Sequence, residues 1–409
     1  MDATREVCYD NIYIDNYVDV GYNVRTFLSV VTAMLAPGYV VLSFLAILSR
    51  HNKLLKELSS HGKTSTTKNT IEKNTLPTPS WCWISKRRFV HFYLVGIVST
   101  VVTTVYHYNC YLEARRDQRF ETVLYDGTLL SRVTAIILLV IHVCRRAYEC
   151  LYIQQYSDDS SKMHIAGYTL GVGYYLVLPL FFWDIDVTYS SAVLDGNSYS
   201  HDENHSFGFD SIMTILIVGM SVLNLWLQYE QHMHHVILAD IRRILVVEDV
   251  KKFDDTTIND CKHNLPKHQN YSLPPFRRWF RFVLSPHYLA EILLYLSFAL
   301  ILEMAPSMFQ NSSICVNTGR HSHEHSLSLG ETIIYCVFVA RRYRHWMLFL
   351  WVATNLTVSA MNNYDWYQSR FKENDAMKRS NTSSFGSKTR SQRQAGSSQK
   401  RRAIFPKIL

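Results

Sequence analysis

The residues of this sequence best suited to chemistry are ionisable side chains at the ends of long apolar runs. His142, Arg145, Arg146, Tyr148, Glu149 and Tyr152 follow one such run closely. At helical spacing Arg145, Glu149 and Tyr152 share one face, with His142 and Arg146 beside it. Guanidinium, carboxylate, imidazole and phenol gathered in this way can hold an anion and move a proton. A blander reading stands next to it, in which the arginines simply end a membrane run and Glu149 is their ion partner. A second stripe, Gln231, His235 and Arg242, falls at i, i+4 and i+11 of an apolar continuation, with His232 and His234 between. A third starts at Ser285-Pro286, a helix-opening pair, and sets His287 and Glu291 one turn apart. Trp366-Tyr367 closes the last apolar run, and the chain ends Arg401-Arg402-Ala-Ile-Phe-Pro406-Lys-Ile-Leu409, an apolar terminus suited to docking back on the body.

No metal is expected. The histidines at 232, 234 and 235 lack the spacing of a zinc helix, and His321, His323 and His325 have no carboxylate or cysteine to complete a set. Eight cysteines without a Cys-x-x-Cys give neither a zinc site nor a disulfide framework.

The elements that must carry these groups are helices. Apolar runs recur at Val24–Leu48, Phe89–His107, Thr128–Val143, Ile165–Trp183, Ile212–Leu227, Tyr288–Leu302 and Trp346–Ala360. Most approach the roughly 20 residues that a helix needs to cross a hydrocarbon core of about 30 Å. The expected class is therefore all-α, a polytopic membrane protein with about seven transmembrane helices. Ionisable groups at such span ends are costly unless paired or functional, which singles them out as a site.

A net charge of +8 raises the question of nucleic acid, but the basic residues crowd particular loops rather than one surface. Lys53–Arg88 and Arg242–Arg281 carry most of them, and the C-terminal tail is basic too, so these segments are expected in the cytosol and the acidic N-terminus in the lumen. Asp184–Asp210 and Pro306–Glu331 then fall on the lumenal side, each with an acceptor sequon, at Asn204 and Asn311. The expected organisation is a lumenal N-terminus (1–23), a first transmembrane helix (24–50), a cytosolic linker (51–88), a catalytic transmembrane domain (89–371), a basic disordered segment (372–400, with Asn374–Lys400 poorest in apolar residues) and a docking tail (401–409).

In order along the chain come His91-Phe-Tyr93, Arg145-Arg146-x-Tyr148-Glu149, Ser157, Met163, Tyr168, Gly171, Tyr174-Tyr175 and Gln231-x-x-x-His235-Val-Ile-Leu-x-x-Ile-Arg242. Trp279-Phe280, Ser285-Pro286-His287-Tyr288-Leu-Ala-Glu291, Thr354-Asn355, Ser359-Ala360, Trp366-Tyr367 and the terminal Arg-x-Ala-x-x-Pro follow. Through these motifs the chain resembles the polyprenol reductase branch of the steroid 5α-reductase family, over roughly Phe89–Phe371 and the last nine residues. The resemblance implies a steroid 5α-reductase-like helical bundle in the endoplasmic reticulum membrane, multi-pass, with NADPH at the cytosolic helix ends and a lipid substrate, polyprenal or polyprenol, entering from the bilayer. Carried over by position, Gln231, His235, Arg242, His287, Glu291, Tyr367 and Arg401 would line the cofactor. A guanidinium suits its phosphates.

Hydride adds poorly to the double bond of an allylic alcohol, because the resulting carbanion has nowhere to place its charge. An α,β-unsaturated aldehyde supplies that place, so the expected reaction is reduction of the α-isoprene unit at the polyprenal level, toward dolichol and protein N-glycosylation. Where steroid-reducing relatives carry a Tyr after the His of the third span, this chain has Val143. The carbonyl contact is then left open among His142, Tyr148, Glu149 and Tyr152, with Tyr367 as a further catalytic candidate. Two further departures are Tyr364 where the family has a His, and a basic rather than acidic stretch at Arg277, Arg278 and Arg281; 306–342 and 374–400 are extra segments. Reduction of trans-2-enoyl-CoA or a 3-oxo-Δ4 steroid is the alternative within the superfamily. A seven-helix receptor is the alternative outside it.

Overall fold

A computed structural model of the chain describes residues 31–52, 82–116, 126–154, 162–183, 206–255, 277–304, 340 and 343–383. Seven helices longer than ten residues stand among the described residues, and each overlays one of the seven apolar runs: α1 (Val31–Leu48), α2 (Phe89–Arg116), α3 (Asp126–Tyr148), α4 (Ile165–Val177), α5 (Ser206–Asp255), α6 (Pro286–Glu303) and α7 (Arg344–Ser383). Four stretches of helix are long and apolar enough to cross a membrane: Val31–Leu48, Lys86–Asn109, Ser211–Ile244 and Pro286–Glu303.

The bundle is apolar outside and polar within. Val98, Val101, Val102, Ile137, Ile215 and Val222 stand exposed on its outer face, while His142, Glu149, Asn224, Gln231 and His234 are buried. In water that arrangement would leave a large apolar surface uncovered, and in a bilayer it leaves each face in its matching solvent. The polytopic all-α class read from the sequence is therefore the class observed.

α3 lies centrally and touches α2, α5 and α6; α6 packs on both α5 and α7. Ser285-Pro286 opens α6 as the sequence suggests, with Ser285 at the cap and Pro at the first helical position. At the opposite end of α6, Glu303 accepts from His345 Nε2 at 2.8 Å and Trp346 Nε1 at 3.0 Å, tying α6 to the start of α7. Between α5 and α6, Asn224 Nδ2 donates to Ser297 Oγ at 2.8 Å, the cross-helix bonding expected where no water can serve these amides, and within α5 Gln228 Nε2 donates to Asn224 Oδ1 at 2.8 Å.

Two features were not anticipated. A short antiparallel ladder pairs β1 (Trp83–Ser85) with β2 (Lys162–His164), in the register Trp83↔His164, Ile84↔Met163, Ser85↔Lys162. Three-residue strands carry too little alternation to be read from a sequence. The ladder clamps the starts of α2 and α4 together, and the two helices then approach closely at Gly171, where a Cβ would lie 2.6 Å from the Phe92 ring. The second concerns 374–400, expected without structure: α7 continues unbroken to Ser383. Ala376, Met377, Lys378 and Arg379 are strong helix formers, and low apolar content alone does not end a helix. The N-terminus expected in the lumen, the His-rich loop and the tail expected to dock lie outside the described residues.

Candidate active site

The end of α3 turns its His142, Arg145, Arg146 and Glu149 inward. These positions fall at i, i+3, i+4 and i+7, so a single helix face brings all four to the centre of the bundle. At Glu149 the helix loosens into one π turn, Glu149–Ile153, of the kind that often marks a functional position.

Glu149 is completely buried, and three donors converge on it with a fourth ring nitrogen close by. Arg145 Nη1 bonds to Oε1, Arg146 Nη1 to Oε2 at 2.5 Å, and His232 Nδ1 to Oε1 at 3.0 Å, while His235 Nε2 stands 3.7 Å from Oε2. Glu149 lies beyond the third apolar run. Burial alone would raise its carboxyl, but Arg146, His235, His232 and Arg145 outweigh it and hold the group well below the usual carboxylate range, so it is ionised.

The arginines extend the network. Arg146 Nη1 also donates to His235 Nε2 at 2.7 Å, and its Nη2 to the Tyr93 hydroxyl at 2.9 Å. Arg145 Nη2 donates to Gln231 Oε1 at 2.5 Å and approaches His142 Nδ1 at 3.3 Å, and Gln231 Nε2 reaches Glu291 Oε2 at 2.9 Å. Two guanidiniums thus face two carboxyl groups across α3, α5 and α6. A guanidinium has no acceptor, and this fixes the imidazoles. His235 takes Arg146's proton contact at Nε2. His142 takes Arg145's at Nδ1, so its own hydrogen sits on Nε2, which is buried and has no hydrogen-bond partner. A buried donor left in this way points to a polar atom of a ligand.

Of the residues singled out from the sequence, His142, Glu149, Gln231, His235 and Glu291 come together in this one network. His287 joins its edge, with its ring 5.3 Å from that of His235 and 4.1 Å from that of Tyr288. Tyr148 and Tyr152 do not: they are 52% and 69% exposed and lean on each other at 5.2 Å, on the outer face. Arg242 is exposed farther along α5, Tyr367 is half-buried beside Trp366 on α7, and Arg401 lies outside the described residues. Among the described residues no group of three or more His, Cys, Asp or Glu could hold a metal ion.

Sequence reasoning gave no role to Tyr93, nor to the tyrosines around it. Tyr93 and Tyr175 meet at 5.0 Å, Tyr175 and Tyr174 at 5.0 Å, and Tyr295 faces His142 at 6.0 Å. The signal available was the abundance of Tyr, 26 residues, and its presence in the motifs around positions 93 and 175.

No family model matches the chain. It is 25% identical to polyprenal reductase 1 of Arabidopsis thaliana over 306 residues, covering 71% of this chain and 77% of that protein. It is 28% identical to the polyprenal reductase of Xenopus laevis over 269 residues, covering 61% and 70%, and 27% identical to that of Homo sapiens over 227 residues, covering 53% and 62%.

Proposed function

We propose that this chain, a relative of the polyprenal reductases, is a membrane oxidoreductase that reduces the α-isoprene carbon–carbon double bond of a polyprenal with NADPH. The reading places it in the endoplasmic reticulum membrane, N-terminus lumenal and C-terminus cytosolic, on the route from polyprenol to dolichol used in protein N-glycosylation. The observation that carries the chemistry is the His142 Nε2–H, a buried hydrogen-bond donor aimed into the interior beside an ion-paired cluster. An aldehyde oxygen that gains negative charge as hydride adds at the β-carbon is the kind of atom such a donor serves.

The donor set fits a dinucleotide. The Gln231–Glu291 pair offers amide and carboxylate groups to a carboxamide, and His235 and His287 adjoin it. Arg242 stands eleven positions beyond Gln231 on the same helix, roughly 16 Å at the helical rise, and supplies an exposed guanidinium for phosphate. Bound there, a reduced nicotinamide would supply the hydride. Arg145 and Arg146 serve differently, since both are engaged by Glu149 and their task is to orient His142, Gln231, His235 and Tyr93.

The test is turnover by membranes carrying the protein, with NADPH and, side by side, a polyprenal, a polyprenol, a 3-oxo-Δ4 steroid and a trans-2-enoyl-CoA. Consumption of NADPH with polyprenal alone is expected. Preference for the steroid or the thioester would move the chain to another substrate class, and no NADPH consumption with any of them would remove the enzyme assignment.

A further inference from the structure

Reduction of an enal needs a proton as well as a hydride. We infer that Tyr93 is the proton donor, giving its phenolic hydrogen to the α-carbon of the substrate; the inference rests on the reductase reading above.

Glu149 receives three hydrogen bonds from cationic or imidazole groups and is ionised, so it has no proton to give. Tyr148 and Tyr152 lie on the outer face. His142 has one N–H, directed by Arg145, and its Nε2–H suits the substrate oxygen.

Tyr93 differs from all of these. It is 7% exposed, and its oxygen accepts from Arg146 Nη2 at 2.9 Å. Because the guanidinium can only donate, the phenol's own hydrogen is left for another group, either the neighbouring Tyr175 hydroxyl, with which Tyr93 is hydrogen-bonded, or a bound substrate. The oxygen is also held in place. Arg146 is fixed by Glu149 at 2.5 Å and by His235 at 2.7 Å, and its guanidinium carbon lies 5.2 Å from the Tyr93 ring centre. The backbone beneath Tyr93 is pinned by the ladder before α2 and by the close approach of Phe92 to Gly171. A cation fixed against a phenolic oxygen offsets part of what burial costs the phenolate that remains after the proton has left.

The step balances. Hydride forms the C–H bond at the β-carbon, and the π pair of the double bond moves into an enolate whose oxygen faces His142 Nε2–H. The α-carbon then takes the Tyr93 hydrogen, the carbonyl reforms, and the phenolate recovers a proton from water.

The experiment uses the full-length protein with a C15 isoprenoid enal. Tyr93→Phe is expected to lower kcat about 100-fold, in the range of positioned acid catalysis, while the dissociation constant for NADPH, measured by calorimetry, stays within about twofold. Replacement of Tyr93 by 3-fluorotyrosine should retain turnover and move the alkaline limb of the kcat profile to lower pH, and its fluorine resonance should shift when the enal is added without reductant. Retained kcat in Tyr93→Phe, or a fluorine resonance indifferent to the enal, would overturn the assignment while leaving the reductase reading intact. Failure of the unsubstituted protein to reduce any enal would overturn both.

Discussion

Arg146 Nη1 stands 2.5 Å from Glu149 Oε2, and Glu149 has no exposed surface. A second ion pair, Arg50 Nη2 to Asp365 Oδ2 at 3.1 Å, ties the end of α1 to α7 with its acid 62% exposed. The two pairs differ in what their loss exposes. Removing Glu149 leaves two buried guanidiniums uncompensated, whereas removing Asp365 returns Arg50 to solvent.

Glu149→Gln should therefore destabilise the protein by about 3–5 kcal/mol, and Asp365→Asn by no more than about 1 kcal/mol. Thermal unfolding in detergent compares them. The pH dependence carries a sign. The folded-state pKa of Glu149 lies below its unfolded value, so its contribution is complete above the ordinary carboxylate range and fades only as pH falls below it. The advantage of wild type over Glu149→Gln should accordingly be constant from neutral pH down to about 4.3 and shrink in stronger acid. An advantage already lost by pH 6 would contradict the paired carboxylate.

His142→Phe keeps a ring of similar size and removes the buried Nε2–H. Loss of one donor to a developing oxyanion costs about 100- to 1,000-fold in kcat, and the KM for NADPH should change little, because His142 lies on α3 and the proposed dinucleotide groups on α5, α6 and α7. Steady-state kinetics with an enal separate the two parameters. A changed KM at constant kcat would make His142 a binding residue.

The geometry also explains what the sequence made readable. Seven long apolar runs coincide with seven helices, four of which among the described residues are long and apolar enough to cross a membrane, because such a helix is apolar over most of its circumference and no tertiary detail is needed to see it. Glu149, Gln231, His235 and Glu291 were legible for the complementary reason, being polar groups where they cost most. Tyr93 was not, since a tyrosine near the start of an apolar run serves equally as an interfacial anchor. Only the contact with Arg146, 53 positions away, distinguishes the two. Tyr148 and Tyr152 misled in the opposite sense. Tyr152 stands three positions beyond Glu149, where regular spacing would share its face, but the π turn beginning at Glu149 shifts it outward; Tyr148 precedes that turn, and both are exposed.

Gly171 tests the scaffold without touching the chemistry. A methyl group there would stand 2.6 Å from the Phe92 ring, so Gly171→Ala must displace the residue adjoining Tyr93. Overpacking of this kind costs about 1–3 kcal/mol. The expected result is a lower melting temperature together with a lower kcat. A variant as stable and as active as wild type would mean that the α2–α4 contact adapts without moving Tyr93.

Arg242 tests the outer end of the proposed dinucleotide site. It is exposed on α5, so its removal should cost the fold little and act chiefly on binding. A charge-assisted hydrogen bond to phosphate contributes about 1.5–3 kcal/mol, which corresponds to an affinity loss of roughly 10- to 150-fold. Arg242→Ala should raise the dissociation constant for NADPH by that order, with kcat at saturation unchanged, because the hydride and proton move at the other end of the network. Raising the salt concentration should weaken NADPH binding to wild type and narrow the gap to the variant, since an exposed charge pair is screened. Equal affinity in both proteins at low salt would take Arg242 out of the site and leave the phosphates to other cations.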